Sequence, residues 1–73
     1  MRDMANTEDV VLRAILDIRD RTGYPVFDAA DIARETGLDD RVIQPALRSL
    51  DSKGCFKTTN FGDNRIDSVV LAE

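Results

Sequence analysis

The feature that most constrains this chain is a change of hydrophobic period at Gly54. Before it, apolar residues recur at intervals of three and four; after it they crowd into two short runs, "CFKTTNF" and "RIDSVVL", rich in β-branched and aromatic side chains. The first spacing lines one face of an α-helix, and the second suits pleated strands. "GDN" lies between the two runs and has the chemistry of a tight turn, since all three residues tolerate unusual backbone angles. A chain of 73 residues is a single domain, so helices and hairpin share one core.

Three helical segments precede the hairpin. "TEDVVLRAILDIRDRTG" places Val11, Leu12, Ile15, Leu16 and Ile18 on one face and Asp9, Arg13, Asp17 and Asp20 on the other. Thr7 suits the N-cap, which leaves residues 1–6 as a flexible N-terminus ahead of a domain over 7–73. In "YPVF", Pro25 forces an extended backbone before it, and Val26 and Phe27 suit a very short strand. Asp28 and Asp31 have cap spacing for a second helix over about 29–36, which buries Ala29, Ile32 and Ala33. Gly37 ends it, because a left-handed residue is common just past a helix. A third helix runs from a cap at Asp39 or Asp40 to about Lys53, with Ile43, Ala46, Leu47 and Leu50 turned inward. The fold class is α+β, mainly α: three helices, a C-terminal β-hairpin and a very short strand at 26–27.

Composition narrows the functions. No run of about 18 apolar residues exists and the first residues are too polar for a signal sequence, so a cytoplasmic chain without a membrane partner is expected. One cysteine makes no internal disulfide, and without histidine it offers neither a zinc site nor a thiol-imidazole pair. Cys55 reads as a small core residue. There is no phosphate-binding glycine loop and no evident carboxylate pair in a cleft, so neither an enzyme nor a metal or cofactor is expected. The net charge of −4 argues mildly against nucleic acid. Its distribution matters more: residues 1–38 hold five basic and eight acidic side chains, 39–65 five and four, and 66–73 none and two.

The stretch "DIARETGLDDRVIQPALRSLDSKGCF" resembles the winged helix-turn-helix family. The likeness is carried by Ala33 in the second helix, Gly37 and Leu38 in the turn, "ALRSL" packing inward and "KG" before the wing, and it covers residues 8 to 72. It implies that the third helix enters the major groove of double-stranded DNA while the hairpin, or wing, lies on the backbone. With the apolar seam inward, a helical wheel puts Arg41, Pro45, Arg48 and Ser52 on the outward ridge, flanked by Gln44. Asp39 and Asp40 fall at the helix start as caps, and Asp51 falls on the flank with Asp40.

Under this resemblance the DNA-binding residues are Arg41 and Arg48 toward guanine or phosphate, Gln44 toward adenine, and Pro45 toward a thymine methyl or a protein surface. The wing adds Lys57, Asn64 and Arg65. An interior proline also predicts a helix bent or loosely wound between Arg41 and Pro45. The implied function is a small prokaryotic or phage transcriptional regulator, paired as a homodimer through the first helix. The alternative is a winged-helix module that binds protein and no DNA, which the acidic balance and Pro45 favour.

Overall fold

A computed structural model describes residues 3–72, with side chains from residue 7 onward. Helix α1 (Asp3–Thr22) begins ahead of Thr7, which lies inside it and not at its cap. Met4 and Ala5 are strong helix formers and nothing among them breaks the helix, so residues 3–6 extend α1 where a flexible segment is expected. The remainder of that expected segment, residues 1 and 2, lies outside the described residues. The buried face of α1 is Val11, Ala14, Ile15 and Ile18. Leu12 packs at its margin, whereas Leu16 stands at 36% exposure, because Ala14 and not Leu16 completes the i, i+3, i+4, i+7 set.

Strand β1 (Val26–Asp28) leads directly into helix α2 (Ala29–Thr36). Asp28 occupies the N-cap position but makes no side-chain cap bond; Asp31 instead accepts from Arg34 at 3.1 Å. Gly37 takes the left-handed conformation, φ +74°, and donates its N–H to the Ala33 carbonyl at 2.8 Å. Ala33 is half-buried, while Ala29 and Ile32 are fully inside.

Helix α3 (Asp40–Ser52) is capped by Asp39, whose carboxylate accepts from the Arg41 N–H at 3.1 Å. It runs without a break through Pro45. Pro45 follows soon after the first turn, and its missing donor deprives only the Arg41 carbonyl, on an exposed face where water serves. The apolar seam is as expected: Ile43, Ala46, Leu47 and Leu50 are all buried.

Strands β2 (Phe56–Gly62) and β3 (Arg65–Leu71) form the hairpin. Its two-residue loop, Asp63 and Asn64, has φ of 53° and 66°, the pair of positive angles that a type I′ turn requires. The sheet is antiparallel in the order β1-β3-β2. Between Asn60 opposite Ser68 and Phe61 opposite Ile66 the register skips Asp67, which makes a β-bulge.

Three helix faces and the inner face of the sheet meet in one cluster, with Ile15, Ile32, Ile43, Leu47, Ile66 and Val69 fully buried. Each such side chain contributes about 1.5–3 kcal/mol by leaving water. Among the described residues no polar or charged side chain is buried, so the whole charge pattern lies at the surface. Cys55 is half-buried against the core, in line with its reading as a packing residue. No described helix is long and apolar enough to cross a membrane. The arrangement is an α+β winged-helix-like fold.

Candidate nucleic-acid interface

With its apolar seam anchored, α3 presents three polar surfaces. The first flank faces the hairpin. There Gln44 accepts from the Ile66 N–H through Oε1 at 2.7 Å and donates through Nε2 to the Ile66 carbonyl at 2.9 Å. Arg65 grips Asp40 with a fork, Nη2 to Oδ1 at 2.7 Å and Nε to Oδ2 at 3.1 Å. Further along, Thr59 donates to Asp51 at 2.8 Å. Hydrogen bonds from Arg65 hold the Asp40 carboxyl below the usual carboxylate range against the opposing effect of burial, with help from Gln44. Asp40 in turn raises the guanidinium of Arg65.

The opposite flank faces the beginning of α1. Glu8 accepts from Lys53 Nζ at 2.6 Å and from Ser49 Oγ at 2.8 Å. Those two contacts, Lys53 first, depress the Glu8 carboxyl. Between the flanks lies the outward ridge of Arg41, Pro45, Arg48 and Ser52, all exposed. The Arg41 side chain makes no hydrogen bond or ion pair with any described residue. Among the described residues Arg48 meets no carboxylate and gives one hydrogen bond, Nη2 to the Asn64 carbonyl at the wing tip, at 3.0 Å. Lys57, exposed on β2, has no ion pair with a described residue.

The expected site residues therefore separate into two groups, with Lys57 apart from both at the Phe56 end of β2, away from the hairpin loop. Arg41, Pro45 and Arg48 share one exposed ridge, and Asn64 adjoins it through Arg48. Gln44 and Arg65 do not belong with them. The Gln44 amide, expected to face adenine, is engaged by the Ile66 backbone and Asp40. Arg65, expected on the DNA backbone, is held by Asp40, with Asp67 also 3.6 Å away. Both placements have one cause: β3 returns beside the first turns of α3 and offers partners that sequence neighbours do not.

Two exposed apolar residues on α3 and the hairpin escaped the sequence reading. Val42, 42% exposed, adjoins the ridge, and Phe61, 61% exposed, lies next to the hairpin loop. Val42 was legible as the apolar residue one step off the buried seam. Phe61 had no comparable signal, because the bulge breaks strict alternation beside it. Val42, Pro45 and Ala46 together with Thr7, Glu8 and Ser49 wall an open cleft of about 310 Å³.

Among the described residues no group of three or more Cys, Asp or Glu side chains is placed to hold a metal ion. Comparison with protein-family models, with curated proteins and with solved structures found no match to this chain.

Proposed function

We propose that this chain is a cytoplasmic DNA-binding protein, a small transcriptional regulator that lays α3 in the major groove and the wing along the phosphate backbone. One observation carries this reading. Arg41 and Arg48 stand exposed without a carboxylate partner among the described residues, while every acid of α3 is engaged elsewhere: Asp40 with Arg65 and Asp51 with Thr59. Even the preceding Asp39 is occupied as a cap. An acidic chain thus turns a basic ridge outward.

In this function Arg41 and Arg48 pair with guanine edges or phosphates, and Pro45 and Val42 lie against thymine methyls. Lys57 and Asn64 contact the backbone. A homodimer through α1, where Val10 and Leu16 are exposed, doubles the contact on two half-sites. Catalysis and a cofactor have no place in it.

Titration with random duplex DNA at two salt concentrations tests the proposal. About three neutralised phosphates, from Arg41, Arg48 and Lys57, give a slope of log affinity against log salt of about −2.7. Heparin retention is expected to disappear in Arg41→Ala plus Arg48→Ala. Salt-insensitive or absent binding overturns it. The cleft of about 310 Å³ beside Val42 and Pro45 favours a second reading, a module that docks an apolar protein side chain. In that case the wild-type chain passes heparin unretained.

A further inference from the structure

Strand β1 stops short of the wing. It pairs with β3 only at Ser68, Val69 and Val70, so the part of β3 nearest the turn has β2 on one side and no strand on the other. The two-residue loop makes Gly62 and Arg65 the closing hydrogen-bonded pair of the hairpin. Hydrogen-bonded and non-hydrogen-bonded pairs alternate, so the next pair, Phe61 and Ile66, directs its backbone groups away from the hairpin. Ile66 is also fully buried through its side chain. Its outward N–H and C=O therefore sit against the core with no strand to receive them, a situation that folded chains avoid.

Gln44 receives both groups, at 2.7 Å and 2.9 Å. A primary amide is the side chain that copies the acceptor and donor of a peptide group together. The same Nε2 also reaches Asp40 Oδ1, at 3.3 Å. Asp40 holds Arg65, and Arg65 is bonded in sequence to Ile66, so the network closes into a ring.

We propose that Gln44 is a positioning residue that stands in for a missing strand beside Ile66 and thereby fixes the wing against the recognition face of α3. Anchoring at Ile66 holds the hairpin tip where the Asn64 carbonyl meets Arg48. The ridge and the wing then act as one surface. The consequence for DNA rests on the function proposed above; the positioning stands on the contacts alone.

Amide hydrogen exchange, followed by NMR on the full chain, tests it. In Gln44→Ala the protection factor of Ile66 is expected to fall about tenfold, the factor for one net hydrogen bond, while Ile32 and Leu47 keep theirs. Gln44→Glu supplies a readout that mere space-filling does not. The introduced carboxyl copies the amide in full only when protonated; ionised, it still accepts from the Ile66 N–H but has no proton to donate to the Ile66 carbonyl, which it then repels. Of the charged groups around it, Asp40 on α3 opposes its ionisation, while Arg41 and Arg48, one turn away on α3, and Arg65 on β3, already paired with Asp40, favour it. Asp67 stands behind Arg65.

Ile66 protection in Gln44→Glu is therefore expected to lie between Gln44→Ala and wild type at pH 7, with one of the two bonds kept, and to rise toward wild type as pH falls through the carboxyl range. Unchanged Ile66 protection in Gln44→Ala, or pH-independent protection in Gln44→Glu, overturns the proposal. If Gln44→Ala fails to fold, Gln44→Glu alone decides. A wild-type chain that ignores duplex DNA but loses Ile66 protection in Gln44→Ala overturns the DNA function and supports the positioning, so the two failures are distinguishable.

Discussion

The two surfaces of α3 that meet near Pro45 both carry polar and charged side chains and have opposite fates. On the wing side, Asp40, Gln44 and Asp51 all have partners from β2 or β3. On the outward ridge, Arg41 has no partner among the described residues and Arg48 gives one hydrogen bond to a backbone carbonyl. Side chains one helical step apart thus differ in availability because one flank lies under the hairpin and the other does not. The lesson concerns net charge. A total of −4 says little about what the molecule presents when folding engages the acids of one helix and leaves its arginines outside.

The largest expected effect removes the seam beneath both surfaces. Leu47 is fully buried, and Leu47→Ala is expected to cost about 3 kcal/mol, a large share of the stability of so small a domain. Urea unfolding measures it; a loss under about 1 kcal/mol shows that α3 is not anchored as described. Next comes the ridge alone. Arg41→Ala plus Arg48→Ala is expected to weaken duplex binding by about 30-fold, near 2 kcal/mol, with unfolding stability changed by less than about 0.5 kcal/mol. Loss of stability without loss of binding reverses the contrast between the surfaces.

A smaller effect moves a residue from one surface to the other. Asp40→Asn releases Arg65 and adds positive charge beside the ridge. Binding to random duplex is expected to strengthen severalfold and its salt slope to steepen by up to about 0.9, while stability falls by less than about 1 kcal/mol because the pair is half-exposed. Weaker binding in this variant places Arg65 outside the interface.

The smallest effect is on pH dependence. Asp40 and Glu8 both have carboxyls depressed by hydrogen-bonded cations. Their stabilisation is therefore complete above the ordinary carboxylate range and is lost as pH falls through the lower folded values. Thermal midpoints should stay level from pH 7 to about 5 and then decline. The decline should be shallower in Asp40→Asn plus Glu8→Gln. Parallel curves mean that neither pair contributes.

Much of the architecture was legible residue by residue. The seam Ile43, Ala46, Leu47 and Leu50, the stop at Gly37 and the turn at Asp63 and Asn64 each follow from spacing or local backbone chemistry. The exposed ridge of Arg41, Pro45 and Arg48 follows from the same wheel. The misreadings lay at element ends and across elements. Thr7 is a good cap residue inside a longer helix, and Asp28 stands at a cap position without bonding there. Pro45, expected to bend or loosen the helix, lies in one that continues past it.

By itself, the sequence determined which segments coil, which pair and which helical face turns inward, because those choices depend on neighbours within a few positions. Tertiary structure alone decided the fate of the polar side chains. Gln44 meets Ile66 across 22 positions, Asp40 meets Arg65 across 25, and Ser49 meets Glu8 across 41. A hydrogen bond demands its partner within about 3 Å, and only the completed packing of hairpin and helices brings such distant groups that close.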